Sequence, residues 1–128
     1  MTVLVLAEDD DDIRMLAGRI LRRAGYSVIE TADGAAALGA VREHRPAAVV
    51  SDIDMPSMSG FELCMALRAE PATSHLPVIF ISGSLVPGDT RPAQAKATSV
   101  LYKPFLPREL VTCVREALGG GDDADPEP

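Results

Sequence analysis

The sequence holds no apolar run near the roughly 18–20 residues that a membrane-spanning helix needs. It also opens without the basic start and apolar core of a secretory signal. A cytoplasmic protein with no membrane association is the expectation. Cysteine is scarce. Cys64 and Cys113 stand far apart inside apolar helical patterns, without the spacing of a metal site, so both are expected to be buried free thiols. The two histidines, His44 and His75, are isolated and read as surface residues. Positive charge is in short supply, with 12 Lys and Arg against 19 Asp and Glu and a net charge of −7. Residues 119–128, GGGDDADPEP, hold Asp122, Asp123, Asp125 and Glu127 and no base, which leaves −3 for the rest. A body this acidic argues against direct nucleic-acid binding. Hydrophobic residues make up 47% of 128 positions, enough for one domain with one core. The expected division is a domain over 1–118 and a flexible tail or linker over 119–128.

Short apolar runs alternate with helical patterns from end to end. Strands are expected at Thr2–Ala7, Tyr26–Thr31, Ala47–Ser51, Pro77–Ser82 and Ser99–Tyr102. The first helix carries Ile13, Leu16, Ala17, Ile20, Leu21 and Ala24 at core spacing, with Arg14, Arg19, Arg22 and Arg23 opposite, and Gly25 stops it. Asp33 can cap a second helix that lasts to about His44, before Pro46. A third helix runs from about Gly60 to Ala69, with Phe61, Leu63, Met65 and Leu67 read as core. Pro87, Gly88 and Pro92 restrict the fourth helix to a turn or two near Thr90, and Pro107 opens the last. Five strand-then-helix units imply a parallel sheet covered on both faces, with ligands at the carboxyl ends of the strands.

The residues at those ends share a chemistry. Glu8 and Asp9 open a run of five acids that follows the first strand, and Asp52 and Asp54 follow the third. Carboxylates brought together repel unless a cation lies between them, which points to a hard divalent metal or to raised pKa values. Asp10, Asp11 and Asp12 read instead as the acidic start of a helix. With Mg²⁺ bound, Asp52 can act as a nucleophile on phosphorus. Ser82 offers a hydroxyl, Gly83 leaves room beside it, and Lys103 offers a point charge suited to phosphate. Those are the parts phosphoryl transfer requires.

In order and in register, VLVLAEDD, VVSDIDMPSMSGFEL, PVIFIS and KPF make residues 2–118 resemble a response regulator receiver domain, the phosphoacceptor module of two-component signalling. The resemblance implies an α/β, doubly wound, five-stranded parallel sheet of flavodoxin-like order 2-1-3-4-5. It implies that Asp52 takes phosphate from a kinase histidine or a phosphotransfer protein in a Mg²⁺-dependent reaction. Asp9 would bind the metal directly, Glu8 through water, and Asp54 by its backbone carbonyl. Ser82 and Lys103 would contact the phosphoryl group, and the Lys103–Pro104 peptide would be cis. Such a module is a switch rather than an enzyme. It would change the surface of helix 4, strand 5 and helix 5, which can also serve a homodimer or an output or kinase domain.

Some positions depart from the family's pattern. The usual switch aromatic is replaced by Val100, and Tyr102 sits two residues on, on the same sheet face. Lys96 stands where many members carry Gly. Asp54 and Ser84 occupy positions the family uses to tune phosphate lifetime. Two other readings stay open. A receiver-shaped docking module need not take phosphate at all. The Asp52-Ile53-Asp54 triplet also imitates the DxD of haloacid-dehalogenase-type phosphatases, although Pro56 replaces the Thr or Val expected there.

Overall fold

The structure, a computed structural model, describes residues 1–119; the tail expected over 119–128 therefore lies, past Gly119, outside the described residues. Five strands, β1 (Val3–Ala7), β2 (Ser27–Thr31), β3 (Ala48–Asp52), β4 (Val78–Ser82) and β5 (Ser99–Tyr102), form one parallel sheet in the order β2-β1-β3-β4-β5. Helices α1 (Asp11–Arg23), α2 (Gly34–His44), α3 (Gly60–Ala69), α4 (Arg91–Gln94) and α5 (Pro107–Ala117) connect and follow them. This is the doubly wound arrangement and strand order expected.

Alternation along the strands divides the core in two. Leu4, Leu6, Val50, Ile79 and Ile81 pack under Ala17 and Leu21 of α1 and Leu110 and Val114 of α5. Val5, Ala7, Val49, Val78 and Phe80 pack under Leu38 and Val41 of α2 and Leu63, Cys64 and Leu67 of α3. Central strands buried on both faces explain why β1, β3 and β4 read as unbroken apolar runs.

Local signals set the helix ends. Asp10 accepts from the amides of Asp12 and Ile13 at the start of α1, and Arg22 and Arg23 face the negative end of its dipole. Asp33 caps α2 through Ala36 N at 2.7 Å. Ser59 and Glu62 close a capping box on α3. With Pro92 in its first turn, α4 is one turn long.

Several expectations are corrected. Strands β1 to β4 each begin one residue late, and β3 runs through Asp52, because ladder pairing rather than hydropathy sets their limits. Leu16 and Met65 are half exposed, since each lies about 100° round its helix from the buried stripe. Cys113 is only partly buried, while Cys64 is fully so and donates to Ala95 O.

Candidate functional site

The carboxyl ends of β1, β3 and β5 converge on one pocket. Glu8 follows the last residue of β1 and its side chain is wholly buried. Its Oε2 accepts from Asp10 N at 3.1 Å and its Oε1 accepts from Lys103 Nζ at 2.8 Å. The turn from β1 into α1 thus fixes one oxygen, and the residue after β5 supplies the counter-charge for the other. Arg14, one turn into α1, donates to Glu8 O at 2.9 Å and to Asp11. Sequence reading placed Arg14 only on a polar helix face. Its single cue is its position four residues after Asp10, which puts it back over the acid run.

Asp52 ends β3, and its Oδ1 accepts from Ile53 N at 2.8 Å and lies 3.6 Å from Lys103 Nζ. No donor among the described residues points at Oδ2. The following loop returns so closely that a Cβ on Gly60 would sit 2.3 Å from Asp52 O. Glycine at the start of α3 is what lets that helix pack against the strand end that carries the carboxylate.

Glu8, Asp9 and Asp52 each place a carboxylate oxygen within 4.8 Å of the others'. The first and last are buried and Asp9 is exposed. Burial pushes the Asp52 carboxyl up, against the pull of Ile53 N and Lys103. Burial likewise pushes Glu8 up, against its hydrogen bonds from Lys103 and Asp10 and with the Asp52 charge. Burial alone would pull the Lys103 ammonium down, but Glu8 and Asp52 outweigh it and hold it above its ordinary value. One monovalent cation therefore faces three acids. That donor set, hard oxygens in excess of positive charge, fits Mg²⁺.

Ser82 ends β4 with its hydroxyl directed into its own loop. Oγ accepts from Ser84 N and Leu85 N, both at 3.1 Å, and makes no bond to Asp52. Ser84 Oγ donates to Asp54 Oδ2 at 2.7 Å, tying the loop after β4 to the loop after β3. Lys103 N donates to Ser82 O at 2.7 Å, and the Lys103–Pro104 peptide is cis. Val100 is half-buried against the α2–α3 core, opposite Phe80. Tyr102 is 41% exposed and pairs in register with Ser82. The two share a face, but only Val100 reaches into the core.

Lys96 adopts φ 61°, a left-handed conformation that favours glycine over residues with a Cβ. Its carbonyl accepts from Arg68 Nε and NH2 at 3.1 and 2.9 Å, while the same guanidinium also holds Leu76 O at 2.7 Å. Nothing in the local pattern marked Arg68 as the clamp on the segments that enter β4 and β5.

The family model for the response regulator receiver domain matches residues 4–115. The response regulator receiver protein CpdR of Brucella abortus is 38% identical over 122 residues, covering 92% of this chain and 98% of that protein. The DNA-binding response regulator MtrA of Mycolicibacterium paratuberculosis is 33% identical over 125 residues, covering 97% of this chain but 54% of its own length. The chain thus spans about half the length of relatives of the MtrA type. Among solved structures, the chemotaxis response regulator CheY4 of Vibrio cholerae superimposes with a TM-score of 0.86 at 30% identity, over 91% of this chain and 98% of that one. The receiver domain of a Pseudomonas aeruginosa sensor histidine kinase, solved with a magnesium ion coordinated in its active-site cleft, gives 0.86 at 27% identity over 93% and 98%. With the strand order and the acidic pocket already in place, these matches settle the family: the chain belongs to the response regulator receiver domains.

Proposed function

We propose that this domain is a phosphorylatable switch that accepts a phosphoryl group on Asp52 from a phosphohistidine of a sensor kinase or phosphotransfer protein. The observation that carries the reading is a buried aspartate with a free Oδ2 inside a three-carboxylate cluster, beside the Lys103 ammonium. A carboxylate oxygen of Asp52 forms the new P–O bond while the P–N bond breaks, and the donor imidazole leaves with that electron pair. Lys103 lies 3.6 Å from Asp52 Oδ1 and can follow the charge from carboxylate to phosphoryl oxygen. Asp9, Asp52 and the Asp54 backbone carbonyl would hold Mg²⁺, with Glu8 reaching it through water. When bound, that ion supplies charge neutralisation at the phosphoryl oxygens.

Ser82 would leave its loop amides to donate to the phosphoryl group, and the loop after β4 would move with it. That loop borders α4 and β5, the surface by which the state would be read by an output or kinase domain, or by a second copy. Val100 and Tyr102 lie next to the moving segment. Because Tyr102 is already half out at the edge, its role in the coupling differs from that of a buried switch aromatic. The domain is proposed to act in the cytoplasm without contacting nucleic acid itself.

Incubation with Mg²⁺ and a small acyl phosphate, followed by intact-mass measurement, tests the reading. A gain of one phosphoryl group that is lost in Asp52→Asn is the expected result. Steady phosphate release from many substrates would instead favour a phosphatase. No adduct from any donor, in a protein that still binds Mg²⁺, would leave a docking module.

A further inference from the structure

One face of α1 is uncovered and carries charge of both signs. At about 100° per residue, Asp12, Met15, Leu16, Arg19 and Arg23 fall within an arc of about 100°. All five are exposed, Met15 and Leu16 by about half. The Asp12 carboxylate and the Arg19 and Arg23 guanidinium groups have no partner among the described residues. Charges on the flank of this face are already paired. Arg14 donates to Asp11 Oδ1 at 2.5 Å, and Arg22 donates to Glu30 Oε2 at 2.6 Å. The helix dipole accounts for acids in the first turn and bases in the last. It gives no reason for two adjacent large apolar side chains standing in water between them.

We propose that this face binds the same face of a second copy, with the two α1 helices antiparallel about a two-fold axis. Such an axis makes the contact self-complementary. If Asp12 meets the second copy's Arg19, then Arg19 meets the second copy's Asp12. These two residues are seven positions apart, about 10.5 Å along the helix. Their midpoint falls between Met15 and Leu16. An axis through that point sets Met15 of each copy against Leu16 of the other and closes an ion pair on either side. It also carries Arg23 toward the other copy's β1–α1 turn, where Asp9 is exposed. A parallel pairing would instead put Asp12 on Asp12 and Arg19 on Arg19, so the order of charges selects the antiparallel arrangement. Each exposed ion pair is weak alone. One helix pair also buries less than the roughly 1,200 Å² at which interfaces of standard size begin. The dimer is therefore weak, held by its apolar centre and fixed in register by its charges. It leaves α4 and β5 uncovered and does not depend on phosphate at Asp52.

Sedimentation velocity and amide NMR on the whole chain test this. The salt is set at about 0.15 M, which screens repulsion between the two net charges of −7 beyond about 8 Å. Between about 20 μM and about 1 mM protein, a range that reaches millimolar dissociation constants, the parent should pass from monomer toward dimer. Its concentration-dependent shifts should centre on α1. Asp12→Lys and Arg19→Glu, each folded by circular dichroism, set like charges opposite each other and should stay monomeric. An equal mixture of the two variants should dimerise again, because each cation then meets an anion on both sides of the axis. The double variant should dimerise alone for the same reason. A parent that stays monomeric at about 1 mM would overturn the proposal. So would single variants that dimerise like the parent, a mixture that stays monomeric, or shifts centred on α4 and β5.

Discussion

Replacing Lys103 by Met leaves the Glu8 and Asp52 carboxylates without the one cation paired with them among the described residues. The size of the effect follows from burial. Exposed ion pairs contribute about 0–1 kcal/mol, whereas removing one partner of a fully buried pair costs about 3–5 kcal/mol. Glu8 is wholly buried, while the Lys103 side chain retains 18% of its exposure. The expected loss at pH 8 is therefore intermediate, about 2–3 kcal/mol. Its pH dependence has a definite sign. Burial already raises both carboxyls, and loss of the ammonium raises them further. A carboxyl whose folded pKa exceeds its unfolded value binds extra protons in the folded state, so stability falls as pH climbs from the unfolded pKa through the folded one. The variant should thus lie near the parent at pH 5 and well below it at pH 8. Lys103 itself, with a raised folded pKa, contributes stability in the parent that is lost only in the alkaline range. Urea unfolding followed by circular dichroism, with chelator present, is the assay. A midpoint lower by about 1.5 M at pH 8 corresponds to this loss. Equal stability of variant and parent at pH 8, or a deficit that does not change with pH, would refute the account of the pocket as an under-compensated acid cluster.

Asp54→Asn should alter the decay of the phosphorylated protein more than its unfolding midpoint, because the amide keeps an acceptor for Ser84 but removes a negative charge beside the pocket; equal decay rates would count against it. Mg²⁺ affinity, measured by titration calorimetry, should weaken as pH drops from 7 to 5, since protons compete for carboxyls held above their usual range by burial, and a flat profile would contradict those raised values. Lys96→Gly should raise stability by about 0.5–1 kcal/mol by relieving a left-handed lysine, the gain being limited by the extra freedom glycine has when unfolded; a lower unfolding midpoint would show that the lysine side chain contributes more than its backbone costs.

The parts of the fold legible in the sequence are those written in local pattern. Buried central strands are continuous apolar runs, Asp33 and Pro46 bracket α2, and prolines shorten α4. Glu8, Asp9 and Asp52 could be brought together on paper because each falls at a strand end and parallel topology collects strand ends on one edge. What stayed hidden depends on reach. The Arg68 clamp, the Ser84–Asp54 link and the Arg14 bond to Glu8 O each join residues through long side chains or separate loops, and no periodicity records where a guanidinium comes to rest. The exposure of Leu16 and Met65 escaped for a related reason: an apolar residue one step off the buried stripe looks the same in sequence as one on it.

The bond between Glu8 and Lys103 spans 95 positions of chain. Its basic member follows the outermost strand on one side of the sheet, the last to be synthesised. A ribosome-bound chain stopped short of that strand would already carry its acids, yet would lack the ammonium that pairs with Glu8 and Asp52. Fraying of the same border strand would momentarily recreate that condition in the finished protein, so acceptor chemistry at the centre is coupled to how tightly the periphery is held.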